Sequence, residues 1–220
     1  MSGFSLSGAV PPIRAVLWDM DGLLADTEPL WTVAEVKVCE AVGGTFTPEL
    51  KARMVGQRLD TATALLLEDL EGQGCTSSVD SLSQGLLDTM VELFSGELHF
   101  MPGALALMSI FKAEGIPQAL VSSSYRVLVD AVCALLPDGS FDFVLGGDEV
   151  VHAKPAPEPY VTAAARLEIP PAQCLVLEDS ASGMESAHAA GCQAIMIPSV
   201  HGVRTEPEWT LLASLTQISL

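Results

Sequence analysis

Four short sets of residues carry side chains able to do chemistry. Asp19 and Asp21 close the stretch LWDMDG, and Ser122, Ser123 and Ser124 follow the apolar ALV of 119–121. Lys154 precedes Pro155, and Glu178 and Asp179 follow CLVL at 174–177. Asp19 and Asp21 are two positions apart, so in an extended chain both side chains lie on one side of it. One such carboxylate can attack phosphorus while the other handles the proton of the leaving or attacking oxygen. Asp19, Asp21, Glu178 and Asp179 cannot share a pocket unpaired, because like charges at short range raise one another's pKa values. A hard divalent cation resolves the conflict. Oxygen donors with few imidazoles or thiols suit Mg²⁺, which retains some waters and prefers a phosphate-bearing substrate. Lys154 supplies further positive charge. Ser122 and Ser123, with backbone N–H groups at the start of a following helix, suit phosphate oxygens. Solvated acids in a turn are the alternative for Asp19 and Asp21 taken alone.

These sets act together only if the elements between them bring them together. Residues 13–18 are short and apolar apart from Arg14, the pattern of a strand buried on both faces. Residues 30–42 read as a helix closed by Gly43 and Gly44. From Pro48 to Gly96 the apolar residues fall at helical spacing without clear strands, as in Leu82, Leu86, Met90 and Leu93. Past Pro102 the pattern alternates. It gives a helix over 103–114, a strand over 119–121, a helix that Ser124 is placed to cap, and a strand over 141–145. A helix opened by Pro157, a strand over 174–177, a helix over 181–190 and a strand over 193–197 follow. Such alternation predicts the α/β class, with a doubly wound, parallel-sheet, Rossmann-like core. The helical block interrupts that core after the first strand and is expected to be an inserted all-helical cap. The expected division is a core of 1–27 and 98–220 and a cap of 28–97. In an open parallel sheet ligands bind beyond the carboxyl ends of the strands, which is where the four sets fall.

Charge narrows the partners. The 220 residues include 28 acidic and 10 basic ones, a formal net charge of −18. Binding a phosphate backbone needs clustered Lys and Arg. The ten here are dispersed, which argues against nucleic acid and anionic membranes and leaves a small phosphorylated metabolite. No apolar run approaches the ~20 residues of a membrane helix. The N-terminus MSGFSLSGAVPPIR lacks the charged start and apolar run of a signal peptide. Five scattered cysteines without a CxxC pair read as reduced, apolar packing residues. A cytoplasmic monomer is expected.

Taken together the motifs resemble those of the haloacid dehalogenase-like superfamily over residues 13–198. Its first motif, DxDG, matches Asp19-Met20-Asp21-Gly22, and its second, an apolar run ending in Ser or Thr, matches ALVSSS and places Ser122. The third matches Lys154-Pro155-Ala156-Pro157-Glu158, and the fourth LEDSASG, with Glu178 and Asp179. Ala153 stands where a Gly often precedes the Lys. A helical insert after the first motif looks like the C1 cap of subfamily I, which includes β-phosphoglucomutase and sugar-phosphate phosphatases.

The resemblance implies roles. Asp19 would be the nucleophile that forms an aspartyl-phosphate. Asp21 would be the general acid and then the base for water, lending its carbonyl to Mg²⁺. Asp179, with Glu178 and Asp19, would hold the metal; Ser122, Ser123 and Lys154 would bind the phosphoryl group. Members that cleave carbon–halogen or carbon–phosphorus bonds lack the second acid, so Asp21 favours phosphoester chemistry. DGLLADTEPLW followed by VGQRLD is similar to the 2-deoxyglucose-6-phosphate or hexitol-phosphate phosphatase branch.

In that branch the cap contacts substrate, making Arg58 a candidate, with a solvated helix-start charge as its alternative. Trp31 either lines the pocket or packs the cap. Ser124, Tyr125 and Arg126 are candidates to face the cap; a solvated Arg126 is the other reading. The expected function is a Mg²⁺-dependent phosphatase of a small phosphorylated sugar or polyol. A β-phosphoglucomutase-type mutase is the enzymatic alternative, weakened because Trp31 and Tyr125 stand where the mutase has His and Lys. A phosphoglycolate phosphatase and a catalytically silent binding module are further alternatives. His99, His152, His188 and His201 lack metal-ligand spacing. Asp26 and Glu28 are expected to cap or orient the next helix, and 23–28 and 96–102 to be hinge links.

Overall fold

The computed structural model describes residues 4–8, 11–54, 57–199 and 203–220. His201 and the Val55-Gly56 pair of VGQRLD lie outside them. Phe4–Ser5 forms a two-residue strand, β1. The apolar tetrapeptide Ala15–Trp18 is the first strand of the main sheet, β2, and it is buried throughout. Four helices follow: Glu28–Ala41 (α1), Pro48–Met54 (α2), Leu59–Gly72 (α3) and Val79–Glu97 (α4). Alternation then begins, with Ala104–Ala113 (α5), Gln118–Val121 (β3), Arg126–Cys133 (α6) and Phe143–Leu145 (β4). Glu158–Arg166 (α7), Cys174–Glu178 (β5), Ala181–Ala189 (α8) and Gln193–Met196 (β6) continue it. Thr210–Leu211 (β7) and Ile218–Ser219 (β8) close the chain.

The main sheet is parallel, in the order β4-β3-β2-β5-β6-β7. β1 and β8 make a separate parallel pair. The three two-residue strands were not expected from the sequence, because two residues carry no periodicity. β5 runs one residue further than expected and includes Glu178 itself. Alternate strand residues face opposite sides. Leu17 and Val176 pack with Tyr160, Ala163 and Ala164 of α7. Trp18, Leu120 and Leu177 pack with Phe111 of α5 and Val129 of α6. That second cluster continues without a break into Leu30, Leu66, Leu86 and Met90 of the helical block.

Where the chain enters and leaves that block, its two links bond each other. The Asp26 N–H donates to the His99 carbonyl (2.9 Å) and the Met101 N–H to the Leu24 carbonyl (2.9 Å). Ala25 and Phe100 form an antiparallel bridge. Among the described residues no helix is long and apolar enough to cross a membrane. All five cysteines are free thiols, and burial pushes Cys174 up to about 11 and Cys192 up to about 12, as expected for packing residues without reactivity.

Candidate active site

β2 lies at the centre of the sheet, between β3 and β5, the switch point at which an open α/β sheet forms its crevice. Asp19 is the first residue past β2. Its N–H still donates to the Leu177 carbonyl (3.0 Å), and the residue is only 6 % exposed. The Lys154 ammonium, itself buried, donates to Asp19 Oδ1 (2.6 Å), to Glu178 Oε1 (2.7 Å) and to the Val121 carbonyl (3.0 Å). All three of its protons are therefore engaged. Burial works against this ammonium, but Asp19 and Glu178 outweigh it and hold its pKa above the ordinary lysine value.

Asp21 has a different environment. Oδ1 accepts from Thr27 Oγ1 (2.7 Å) and from Trp31 Nε1 (3.4 Å). Oδ2 accepts from Ser122 Oγ (3.0 Å) and Ser124 Oγ (2.8 Å). Donors from the first loop, from α1 and from the end of β3 thus fix one carboxylate. Gly22 follows with a φ of +79°. A Cβ there would collide with the Asp179 carboxylate and lie 2.7 Å from Ser199 Oγ. The glycine therefore serves both the turn and the approach of Asp179.

Glu178 is fully buried and saturated. Beyond Lys154, Oε1 accepts from the Tyr160 hydroxyl (2.6 Å), and Oε2 accepts from Ser180 Oγ (2.9 Å) and the N–H groups of Asp179 and Ser180 (both 3.2 Å). Asp179 Oδ2 accepts from Ser199 Oγ (2.6 Å). Oxygen atoms of Asp19, Glu178 and Asp179 lie within 4.8 Å of one another. Burial and then the Glu178 charge raise the Asp19 pKa well above the usual carboxylate range, despite Lys154. The same two causes, opposed by the Ser199 hydrogen bond, bring Asp179 to about 7. Three carboxylates thus face one ammonium, a deficit of positive charge that a divalent cation fits. The donors are all hard oxygens, which suits such an ion.

The carboxylates open into a cavity of about 450 Å³. Its far wall belongs to the helical block and includes Trp31, Glu35, Lys51, Met54, Gln57 and Leu86. Lys51 bridges Glu35 (2.8 Å) and Glu28 (3.0 Å). Two carboxylates with separate sets of donors, a buried ammonium and a hard-oxygen cluster around one cavity suit transfer of a charged group. A family model described as haloacid dehalogenase-like hydrolase matches residues 13–191. The chain belongs to this family.

Relatives of this haloacid dehalogenase-like hydrolase include a phosphorylated carbohydrates phosphatase of Thermotoga maritima. It is 33 % identical over 184 residues, covering 83 % of this chain and 84 % of the relative. Hexitol phosphatase B of Escherichia coli is 28 % identical over 213 residues, covering 94 % and 95 %. The crystal structure of CbbY from Rhodobacter sphaeroides in complex with phosphate superposes with a TM-score of 0.83 at 27 % identity. It covers 92 % of this chain and 95 % of that one.

Within this hydrolase the fold brings Asp19, Asp21, Ser122, Lys154, Glu178 and Asp179 to one sheet edge. Ser123, Ser124, Tyr125 and Trp31 line the same cavity. Two expected cap contacts lie elsewhere. Arg58 sits just before α3, its guanidinium 3.0 Å from Asp60, and the residues on either side of it, Gln57 and Leu59, line the cavity instead. Arg126 is exposed and pairs with Asp130 (2.7 Å) and Glu149 (3.2 Å). In both cases an acidic neighbour outcompetes the cavity for the cation.

Helix-capping expectations also need correction. Ser124 does not cap α6, whose N-cap is Tyr125 without a side-chain bond; its hydroxyl is taken by Asp21. Asp26 is exposed and Glu28 is paired with Lys51. The cap position of α1 belongs to Thr27, whose hydroxyl also goes to Asp21. Sequence reasoning missed Thr27, Tyr160, Ser180, Ser199 and the Glu28–Lys51–Glu35 group. Ser180 lies inside the fourth motif, LEDSASG, and Thr27 in the DGLLADTEPLW stretch that follows the first, so membership of those stretches was the available signal for them. The others arise from contacts across elements.

Proposed function

We propose that this chain is a Mg²⁺-dependent phosphatase that releases phosphate from a small phosphorylated sugar or polyol through an aspartyl-phosphate on Asp19. The observation that carries this reading is the pair of unequal aspartates lining one cavity: Asp19 buried against Lys154, and Asp21 held by four donors. The phosphatase names of the two relatives support the same substrate class.

In this reading Asp19 attacks phosphorus, forming an Asp–O–P bond as the ester P–O bond breaks. Asp21, protonated in the substrate complex once one of its four donors has turned away, gives that proton to the departing oxygen. Asp21 then takes a proton from water as the water attacks phosphorus, the Asp19–phosphorus bond breaks and inorganic phosphate leaves. As Asp19 Oδ1 is drawn into the bond to phosphorus, the Lys154 proton it accepts can pass to a phosphoryl oxygen, and the Ser122–Ser123 turn holds the others. Glu178, bonded by Lys154, Tyr160 and Ser180, fixes the ammonium in place. Asp19, Asp179 and the Asp21 carbonyl would hold Mg²⁺, whose charge would offset that of the phosphoryl group; Glu178, expected as a further ligand, has both oxygens engaged and would add its charge beside the ion. Residues 28–97 act as the cap. The reading takes the protein as a cytoplasmic monomer, in a compartment where free thiols stay reduced.

The test is release of inorganic phosphate from p-nitrophenyl phosphate and a panel of sugar phosphates with Mg²⁺. Turnover should fall by about a thousandfold or more in Asp19→Asn. Equal rates in the two proteins would refute the reading.

A further inference from the structure

The cap wall of the cavity has a chemistry of its own. Lys51, from α2, is 19 % exposed and lies between Glu35 (2.8 Å) and Glu28 (3.0 Å) of α1. All three residues line the cavity that holds Asp19 and Asp21. With both carboxylates ionised the group carries a net charge of −1. Lys154 is the other cation among the described lining residues, and Asp19 and Glu178 already engage it. The cap wall therefore presents spare carboxylate lone pairs, among them those of Glu28 Oε1, which accepts no hydrogen bond, and the ammonium protons that Glu35 does not take, beside the apolar surfaces of Trp31, Met54 and Leu86. Hydroxyl groups can donate to such carboxylates and accept from the ammonium. A second phosphate or a carboxylate would meet like charge in a partly buried space, where repulsion is costly.

We infer that the Glu28–Lys51–Glu35 group is the specificity determinant of the cavity, accepting an uncharged polyhydroxylated leaving group and rejecting substrates with a second anionic group. The inference rests on the phosphatase reading above and adds which side chains choose the substrate and by what charge.

The experiment measures inhibition of p-nitrophenyl phosphate hydrolysis by glucose 6-phosphate and by glucose 1,6-bisphosphate, with the ratio of inhibition constants taken within each protein. In the wild type the monophosphate should bind at least about tenfold more tightly. Glu35→Gln removes one negative charge and should shrink the ratio about threefold or more, whereas Lys51→Met removes the positive charge and should enlarge it. Opposite shifts distinguish a charge effect from simple disruption, which would weaken both ligands in both variants. Because the ratio is internal to each protein, general loss of activity cancels. No wild-type hydrolysis of p-nitrophenyl phosphate would refute the phosphatase reading itself. Hydrolysis with equal or stronger inhibition by the bisphosphate, with no inhibition by the monophosphate, or with both variants moving the ratio the same way would overturn the specificity assignment alone.

Discussion

Asp19 and Asp21 are two residues apart, yet they meet opposite surroundings. Asp21 is surrounded by four donors, while Asp19 shares its pocket with Glu178, Asp179 and one ammonium. The crowding has a consequence for stability. The Asp179 carboxyl is raised from an ordinary 3.8 to about 7 in the folded chain. Between those values the folded state binds more protons than the unfolded one. Its contribution to stability is therefore fully present below the lower value and is lost as pH rises through about 7. Binding a divalent cation requires the deprotonated carboxylate and works in the other direction. Mg²⁺ should then raise Tm more at about pH 8 than at about pH 5.5. Thermal melts with Mg²⁺ or with chelator check this, and equal shifts at the two pH values would contradict it.

At the scale of elements, α8 is placed by one missing atom. A Cβ on Gly183, in the first turn of that helix, would collide with the Glu178 carboxyl group. Glu178 in turn positions Lys154 through a 2.7 Å ion pair. Gly183→Ala must therefore shift either the helix or the glutamate. It should cost about 1–3 kcal/mol of stability and lower kcat by roughly tenfold or more, because the ammonium moves with its partner. Gly72 ends α3, and a Cβ there meets nothing within 4 Å. Gly72→Ala should leave kcat unchanged and stabilise by up to about 1 kcal/mol. Melting curves and steady-state rates of the two variants test the pair, and a neutral Gly183→Ala would contradict the packing argument.

For the whole molecule, the joint between helical block and sheet matters most. The two links are tied by hydrogen bonds between Asp26 and His99 and between Met101 and Leu24, so they should bend together. Thr27, beside this joint, bonds Asp21, and Trp31 reaches Asp21 from α1. Movement of the block therefore changes the surroundings of the acid. On the proposed mechanism, closure would exclude water during the attack by Asp19 and reopening would admit it for the second step. Beryllium fluoride with Mg²⁺, a mimic of the phosphorylated aspartate, should reduce the radius of gyration measured by X-ray scattering. A profile unchanged by the mimic would count against this motion.

The sequence by itself determined the sheet, the inserted helices and the motif residues, because each of these depends on near neighbours. Burial on both faces makes a strand continuously apolar, as in Ala15–Trp18, and amphipathic spacing marks a helix, as in Val79–Glu97. A parallel sheet then sends every strand end to the same edge, which is why Asp19, Ser122, Glu178 and Asp179 were legible as one site. Tertiary structure decided which polar groups pair. Arg58 and Arg126 were reasonable cavity cations until Asp60, Asp130 and Glu149 took them. Ser124 and Thr27 had the makings of helix caps, but the half-buried carboxylate of Asp21 claimed both hydroxyls. Lys51 and Glu35 are 16 residues apart and on different helices. No local pattern announces such a pair, because its partners are chosen by distance after folding and by the cost of leaving a buried charge alone.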